Sequence, residues 1–132
     1  MKIRIVEIPW QVESGWVVRE RFEALERGNG WIRHGRAWAF DCESRLEAEG
    51  VYENGVRDGW WRYYHPDGSL DGEGAYSNDD MTGIWRYYHP NGRLAAEGAC
   101  ADAGADGVWT YWDADGEEEE PILWKAGYQV ER

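Results

Sequence analysis

The chain is 132 residues long with a formal net charge of −12, one domain's worth of polypeptide whose field opposes duplex nucleic acid and phosphate-rich membranes. Its apolar area comes largely as rings, with Trp 10, Tyr 8 and Phe 2, a composition suited to sheet faces and interfaces. No apolar run approaches the roughly 20 residues of a membrane span, and residues 1–15 are interrupted by Glu7, Pro9 and Glu13 where a signal peptide needs an apolar stretch, so a cytoplasmic location is expected.

In chain order, Lys2 and Arg4 alternate with Ile3 and Ile5, and Val6 and Ile8 follow, which predicts a strand stopped by Pro9. Residues 15–27 read two ways. Val18, Phe22 and Leu25 fall at helical spacing between Ser14 as a cap and Gly28 as a stop. Against the helix, Trp16, Val17 and Val18 are β-rich, and residues 25–28 echo residues 46–50. A degenerate first hairpin is favoured, with a short helix as its rival. Gly28, Asn29 and Gly30 form a turn. Residues 1–34 are therefore expected to be an irregular cap, as the ends of repeat arrays are.

From Gly35 onward, over residues 35–132, the chain repeats with an offset of 24. Residues 61–74 read WRYYHPDGSLDGEG and residues 85–98 read WRYYHPNGRLAAEG. Gly35, Gly59, Gly83 and Gly107 share a column, as do Trp61, Trp85 and Trp109, and Phe40, Tyr64, Tyr88 and Trp112. Gly68, Gly92 and Gly116 form another, Leu46, Leu70 and Leu94 a fifth, and Gly50, Gly74 and Gly98 a sixth. Columns kept in phase over this length define a repeat array.

Each copy predicts two strands. In the clearest one, residues 61–65 lead into Pro66-Asp67-Gly68, in which Pro presets φ, Asp tolerates the next position and Gly accepts positive φ. That is a short hairpin loop with a bulge. Residues 69–76 return, and a second turn follows at Asn54-Gly55, Asn78-Asp79 and Asp102-Ala103 in successive copies. Residues 45–49 (RLEAE) score as helix on propensity, but their partners at 69–73 contain Ser and Gly, so both are assigned to strand. The expected fold is all-β: an elongated antiparallel meander of stacked hairpins in a single sheet, forming one structural domain with the cap. Regular alternation puts Trp61 and Tyr63 on one face and Arg62 and Tyr64 on the other, so both faces carry rings. Some of these rings must pack against ring neighbours in adjacent copies; the cap or a partner covers others.

The pattern Gly59-x-Trp61-x-x-Tyr64, Gly68-x-Leu70, Glu73-Gly74-x-Tyr76 and Gly83-x-Trp85 resembles the MORN repeat (membrane occupation and recognition nexus), most nearly its longer bacterial variant with G-x-W-x-x-Y, P-N-G and E-G-x-Y elements. The resemblance covers residues 35–116. The copy beginning at Gly35 departs from it, with Ala37 for the Trp, Cys42 for the Pro and Ser44 for the turn Gly; the last copy has Glu118 for the Leu and Ile122 for the Gly. The resemblance implies stacked β-hairpins without a catalytic centre. It also implies, for the bacterial variant, an antitoxin or immunity partner of a secreted or contact-delivered toxin, and for other members a scaffold or a link to phospholipid membranes.

No candidate chemistry stands out. His65 and His89 precede the Pro turns, but equivalent residues two strands apart lie about 9.6 Å from each other, too far for two imidazoles to share one metal. Their column continues as Asp41 and Asp113, which reads as turn polarity. Cys42 and Cys100 lack metal or redox spacing. Ser44, Ser69 and Ser77 have no nucleophile-elbow context. No catalytic residue, metal or cofactor is expected.

Charge is the functional lead. Residues 1–34 carry six Lys/Arg against five Asp/Glu, whereas residues 94–124 hold nine acids and no base. The bland reading is a solvated face that keeps an aromatic sheet soluble. The sharper one is a docking surface for a basic protein, a toxin or effector, in which Asp102, Asp106, Asp113, Asp115, Glu117, Glu118, Glu119 and Glu120 steer the encounter and Tyr64, Tyr88, Trp109 and Trp112 anchor it. The chain is thus expected to be an immunity-type binding module acting by stoichiometric occlusion. A non-catalytic scaffold or homodimer is the alternative, and membrane association is disfavoured by the charge.

Overall fold

The structure, a computed structural model, describes residues 3–101 and 104–130. Among them the chain is all strand and turn: β1 (Ile3–Val12), β2 (Gly15–Arg27), β3 (Gly30–Phe40), β4 (Leu46–Glu53), β5 (Val56–Arg57), β6 (Gly59–Tyr64), β7 (Leu70–Ser77), β8 (Asp80–Tyr88), β9 (Leu94–Ala101), β10 (Gly104–Ala105), β11 (Gly107–Tyr111), β12 (Ile122–Lys125) and β13 (Tyr128–Gln129). They form one sheet in the order β1-β2-β3-β4-β6-β7-β8-β9-β11-β12-β13, with β5 beside β4 and β10 beside β9. Neighbours in sequence are neighbours in space and all run antiparallel, the meander that the repeat predicted. The ambiguous segment 15–27 is strand β2, paired on both sides with β1 and β3. A ladder on each side satisfies its backbone more fully than a short helix would, and this overrides the helical spacing of Val18, Phe22 and Leu25. β3 runs through residues 34 and 35, so cap and repeats share one sheet.

Two kinds of turn alternate along the edges. In the first, Gly68 N–H donates to His65 O at 2.9 Å and His65 N–H donates to Ser69 O at 2.8 Å, a type I turn closed by a glycine bulge with Gly68 at φ +91°. The same bonds recur at residues 89–93, 113–117 and 41–45, and in the last of these Ser44 takes φ +66° in place of glycine. Both divergent outer copies therefore keep the hairpin. Trp112 faces Glu118 as Tyr88 faces Leu94, and Trp109 faces Ile122 as Trp85 faces Gly98. The second kind of turn has positive φ at two successive residues, Asn54-Gly55, Asn78-Asp79 and Ala126-Gly127, the twist that suits tight hairpins. Asp102 and Ala103 lie outside the described residues.

The core occupies one face. Trp61, Trp85 and Trp109 are buried there, and each indole lies flat on a glycine of the preceding copy: Trp61 on Gly50, Trp85 on Gly74, Trp109 on Gly98. A Cβ on any of these glycines would fall inside the ring. Each indole N–H then donates to the carbonyl after that glycine, Val51, Ala75 or Ala99, at 2.9, 3.1 and 2.9 Å. Bulges make this overlap possible. Opposite Gly74 the register slips, so that Gly83, Ile84 and Trp85 span one residue of β7, with Gly83 at φ +70°. A second row, Tyr63, Tyr87 and Tyr111, stands opposite Ala48, Gly72 and Ala96, small residues that leave room for the rings. Rings meet along the rows as expected: Tyr52 and Tyr76 approach Trp61 and Trp85 edge-on, each at 5.2 Å.

Candidate functional site

The opposite face carries a charge ladder. Glu49 faces Arg62, Arg62 faces Glu73, Glu73 faces Arg86 and Arg86 faces Glu97, each directly across a strand pair. Arg86 Nε donates to Glu97 at 2.6 Å, and Arg62 Nε lies 3.4 Å from Glu73. Tyr64 and Tyr88 hydroxyls donate to Glu49 and Glu73 at 3.0 and 2.9 Å, and burial, reinforced by those bonds, holds both phenols above the usual tyrosine range. The ladder then runs out. The residue facing Glu97 on its far side is Thr110, where the arginine column ends, and the tyrosine column becomes Trp112, which has no hydroxyl to offer.

Beyond that point the acids accumulate. Asp113 is half-buried and its Oδ1 accepts from the amides of Asp115 and Glu117 at 2.9 and 3.0 Å, so it serves the turn. Asp115 is exposed, and its carbonyl accepts from Arg93 Nη1. Glu117, Glu118 and Glu119 are exposed; Glu118 faces Trp112, and the Glu119 amide donates to Tyr111 O at 2.8 Å. Glu120 is exposed beside them. No ion pair involves the side chains of Asp115, Glu117, Glu118 or Glu119 among the described residues. Elsewhere several acids are paired, as in Arg33–Glu20, Arg45–Asp41 and Arg57–Asp79, while others such as Glu47, Glu53 and Asp80 also have no ion pair among the described residues.

The expected surface is only partly assembled. Asp106 lies at the other end of β11, a five-residue strand or roughly 17 Å away, where its Oδ1 receives the Ala126 amide at 3.5 Å. Trp109 requires a correction: it is 5% exposed and seated on Gly98 in the core, on the face opposite the ladder, so it is no anchor for a partner docked on the acidic edge. Its column contains Trp61 and Trp85, both buried for the same reason. Trp112, Tyr64 and Tyr88 stay half-buried on the ladder face. Sequence reasoning counted Glu97 among the nine acids of residues 94–124 but did not pair it with Arg86. The signal was present in the columns Glu49, Glu73, Glu97 and Arg62, Arg86, Thr110.

The two histidines join the copies. His65 Nε2 donates to Tyr88 O and His89 Nε2 to Trp112 O, each at 2.8 Å, which ties each of these two turns to the next copy. Asp41 and Asp113 occupy the same column and bond their own turns. The Arg45 amide and guanidinium hold the Asp41 carboxyl below the usual range.

Compared with known proteins, residues 57–78 and 81–98 match the family model described as MORN repeat variant. No curated protein matches the chain. Among solved structures, the crystal structure of the GtfA/B complex bound to UDP and GlcNAc is similar over 75% of this chain, at 15% identity and a TM-score of 0.34. This chain spans 21% of that one, and a likeness so weak carries no functional argument.

Proposed function

We propose that this array of MORN repeats is a non-catalytic, cytoplasmic protein-binding module of the immunity or antitoxin type, which occludes a basic toxin or effector by stoichiometric association. The observation that carries the reading is the end of the arginine column. Up to Glu97 each glutamate of the ladder has a guanidinium across from it; past Thr110 the exposed carboxylates of Asp115, Glu117, Glu118 and Glu119 stand beside half-buried Trp112 without ion-pair partners among the described residues. Such an edge offers charge to steer a cationic partner and a ring to anchor it. Occlusion of this kind involves no turnover.

The test begins with the full chain as bait in a native lysate at low and then high salt. Support is a single basic partner bound one to one, lost at high salt, whose activity the protein neutralises. Replacing Glu117, Glu118 and Glu119 together by Lys should slow association about tenfold or more at low salt. An unchanged association rate would overturn the acidic-edge reading.

A scaffold role by self-association is the second reading, favoured by β1. This ten-residue strand has one hydrogen-bonded neighbour among the described residues and exposes Ile3 and Ile5 at 63% and 58%. Open edges of this length pair with other strands, although the bulge at Ile8 and Pro9 opposes it. A concentration-dependent dimer that Ile5→Lys dissolves would establish that reading instead.

A further inference from the structure

The aromatic face has a gap that its own repeat defines. In the copy containing Tyr76, that ring lies edge-on to Trp85 at 5.2 Å, its hydroxyl meets the Tyr63 hydroxyl at 2.7 Å, and the Arg57 guanidinium covers it 4.1 Å from the ring centroid. One copy later the equivalent positions are Cys100, Trp109, Tyr87 and Met81. In the last copy Trp124 fills the place, and its indole N–H donates to Tyr111 at 2.9 Å. Only at Cys100 does a small side chain stand where the flanking copies have a ring. What remains is an open depression of about 280 Å³ between Trp109, Tyr87, Met81 and Trp124, floored by Cys100. The Tyr87 hydroxyl faces no hydrogen-bond partner among the described residues, whereas Tyr63 and Tyr111 each have one. Burial, with Cys100 adding to it, pushes the Tyr87 phenol up to about 12, so it is neutral at physiological pH and able to donate.

We propose that this depression is a binding pocket for a neutral phenol ring, entering from solvent to occupy the place that Tyr76 fills one copy earlier. Trp109 supplies the edge-on aromatic contact, the Tyr87 hydroxyl pairs with the ligand's hydroxyl, and the Met81 thioether takes the position of the Arg57 guanidinium. That exchange matters for selectivity. A cation over the ring would favour an anionic phenolate; a thioether favours the neutral form. The volume lies at the small end for ligand sites, the scale of a single aromatic side chain. The phenol is either a small molecule or a tyrosine side chain of a polypeptide, and the pocket's chemistry is common to both. The proposal is independent of the acidic edge, and neither depends on the other's success.

The test is calorimetric titration of the full chain with p-cresol, toluene and N-acetyltyrosinamide. One site for p-cresol is expected, with toluene three- to tenfold weaker because one hydrogen bond is lost. Tyr87→Phe should erase the preference for p-cresol while keeping toluene affinity. Cys100→Tyr should fill the pocket from within, abolish p-cresol binding and melt above the wild type. Tighter binding of N-acetyltyrosinamide than of p-cresol would support the pocket with a polypeptide tyrosine as its source; weaker binding would support it with a small phenol. No saturable p-cresol binding to the wild-type chain, equal affinity for p-cresol and toluene, or p-cresol binding that survives in folded Cys100→Tyr would overturn the proposal. The wild-type comparison of cresol with toluene stands even if a variant fails to fold.

Discussion

At the scale of single residues, the stabilising unit is an indole laid on a bare backbone. Trp85 on Gly74 fills space that any side chain at 74 would need, and it also spends its N–H on Ala75 O. Gly74→Ala must push the ring or the strand away, and overpacking of this sort costs about 1–3 kcal/mol. The expected result is a clear fall in the denaturant midpoint with little change in slope. Ile122 occupies the same column in the last copy, half-buried opposite Trp109. Ile122→Val should therefore cost no more than ~1.5 kcal/mol. Acid sensitivity also belongs at this scale. Hydrogen bonds from the Arg57 side chain and amide hold the Asp79 carboxyl below its usual value, and the Arg36 amide does the same for Glu23. A carboxylate whose folded-state pKa is depressed adds stability above its unfolded-state pKa of about 4 and loses it as pH falls through the folded value. The melting temperature should be flat through neutrality and drop below about pH 4, less steeply in Asp79→Asn.

At the scale of elements, the turns were legible because their chemistry is local. Pro66-Asp67-Gly68 announces a bulged hairpin by residue type alone, and residues 65–69 form it. The copy with Ser44 shows how strongly the flanking strands impose that geometry, since Ser44 accepts φ +66°. Relieving it with Ser44→Gly should raise stability by about 1 kcal/mol, and Gly68→Val should lower it by at least as much. Ser69→Val, one residue along, is the control for loss of β-structure. Equal melting shifts for Gly68→Val and Ser69→Val would mean that the turn conformation does not limit stability. Less legible was β2. Its apolar residues satisfy two periodicities, and only the ladders contributed by β1 and β3, which are tertiary facts, decide between them.

At the scale of the whole molecule, phase was legible and facing was not. The 24-residue offset shows which residues are equivalent, but not which side of a single sheet they bury. That is why Trp109 looked like an anchor although its column is the core. A run of acids in sequence likewise says nothing about which edge each acid reaches: β11 sends Asp106 to one side and Asp113 to the other. The Cys100 gap shows the converse. It is visible only when the columns are overlaid on the ring geometry of their neighbours. A far-UV spectrum should contain no helical component; a pronounced helical minimum would contradict residues 15–27 as strand.

The indole-on-glycine contact has a further consequence for how such a chain changes over generations. Each of the two middle units holds both halves of the joint, a glycine to receive the next unit's ring and a ring to cover the last unit's glycine. Excising residues 60–83 would seat Trp85 on Gly50 and point its N–H at Val51 O, restoring every joint with nothing left over. Unequal exchange between gene segments coding neighbouring units therefore lengthens or shortens the sheet in whole steps, each foldable, and the sheet's span becomes a trait that recombination adjusts without first passing through a broken core.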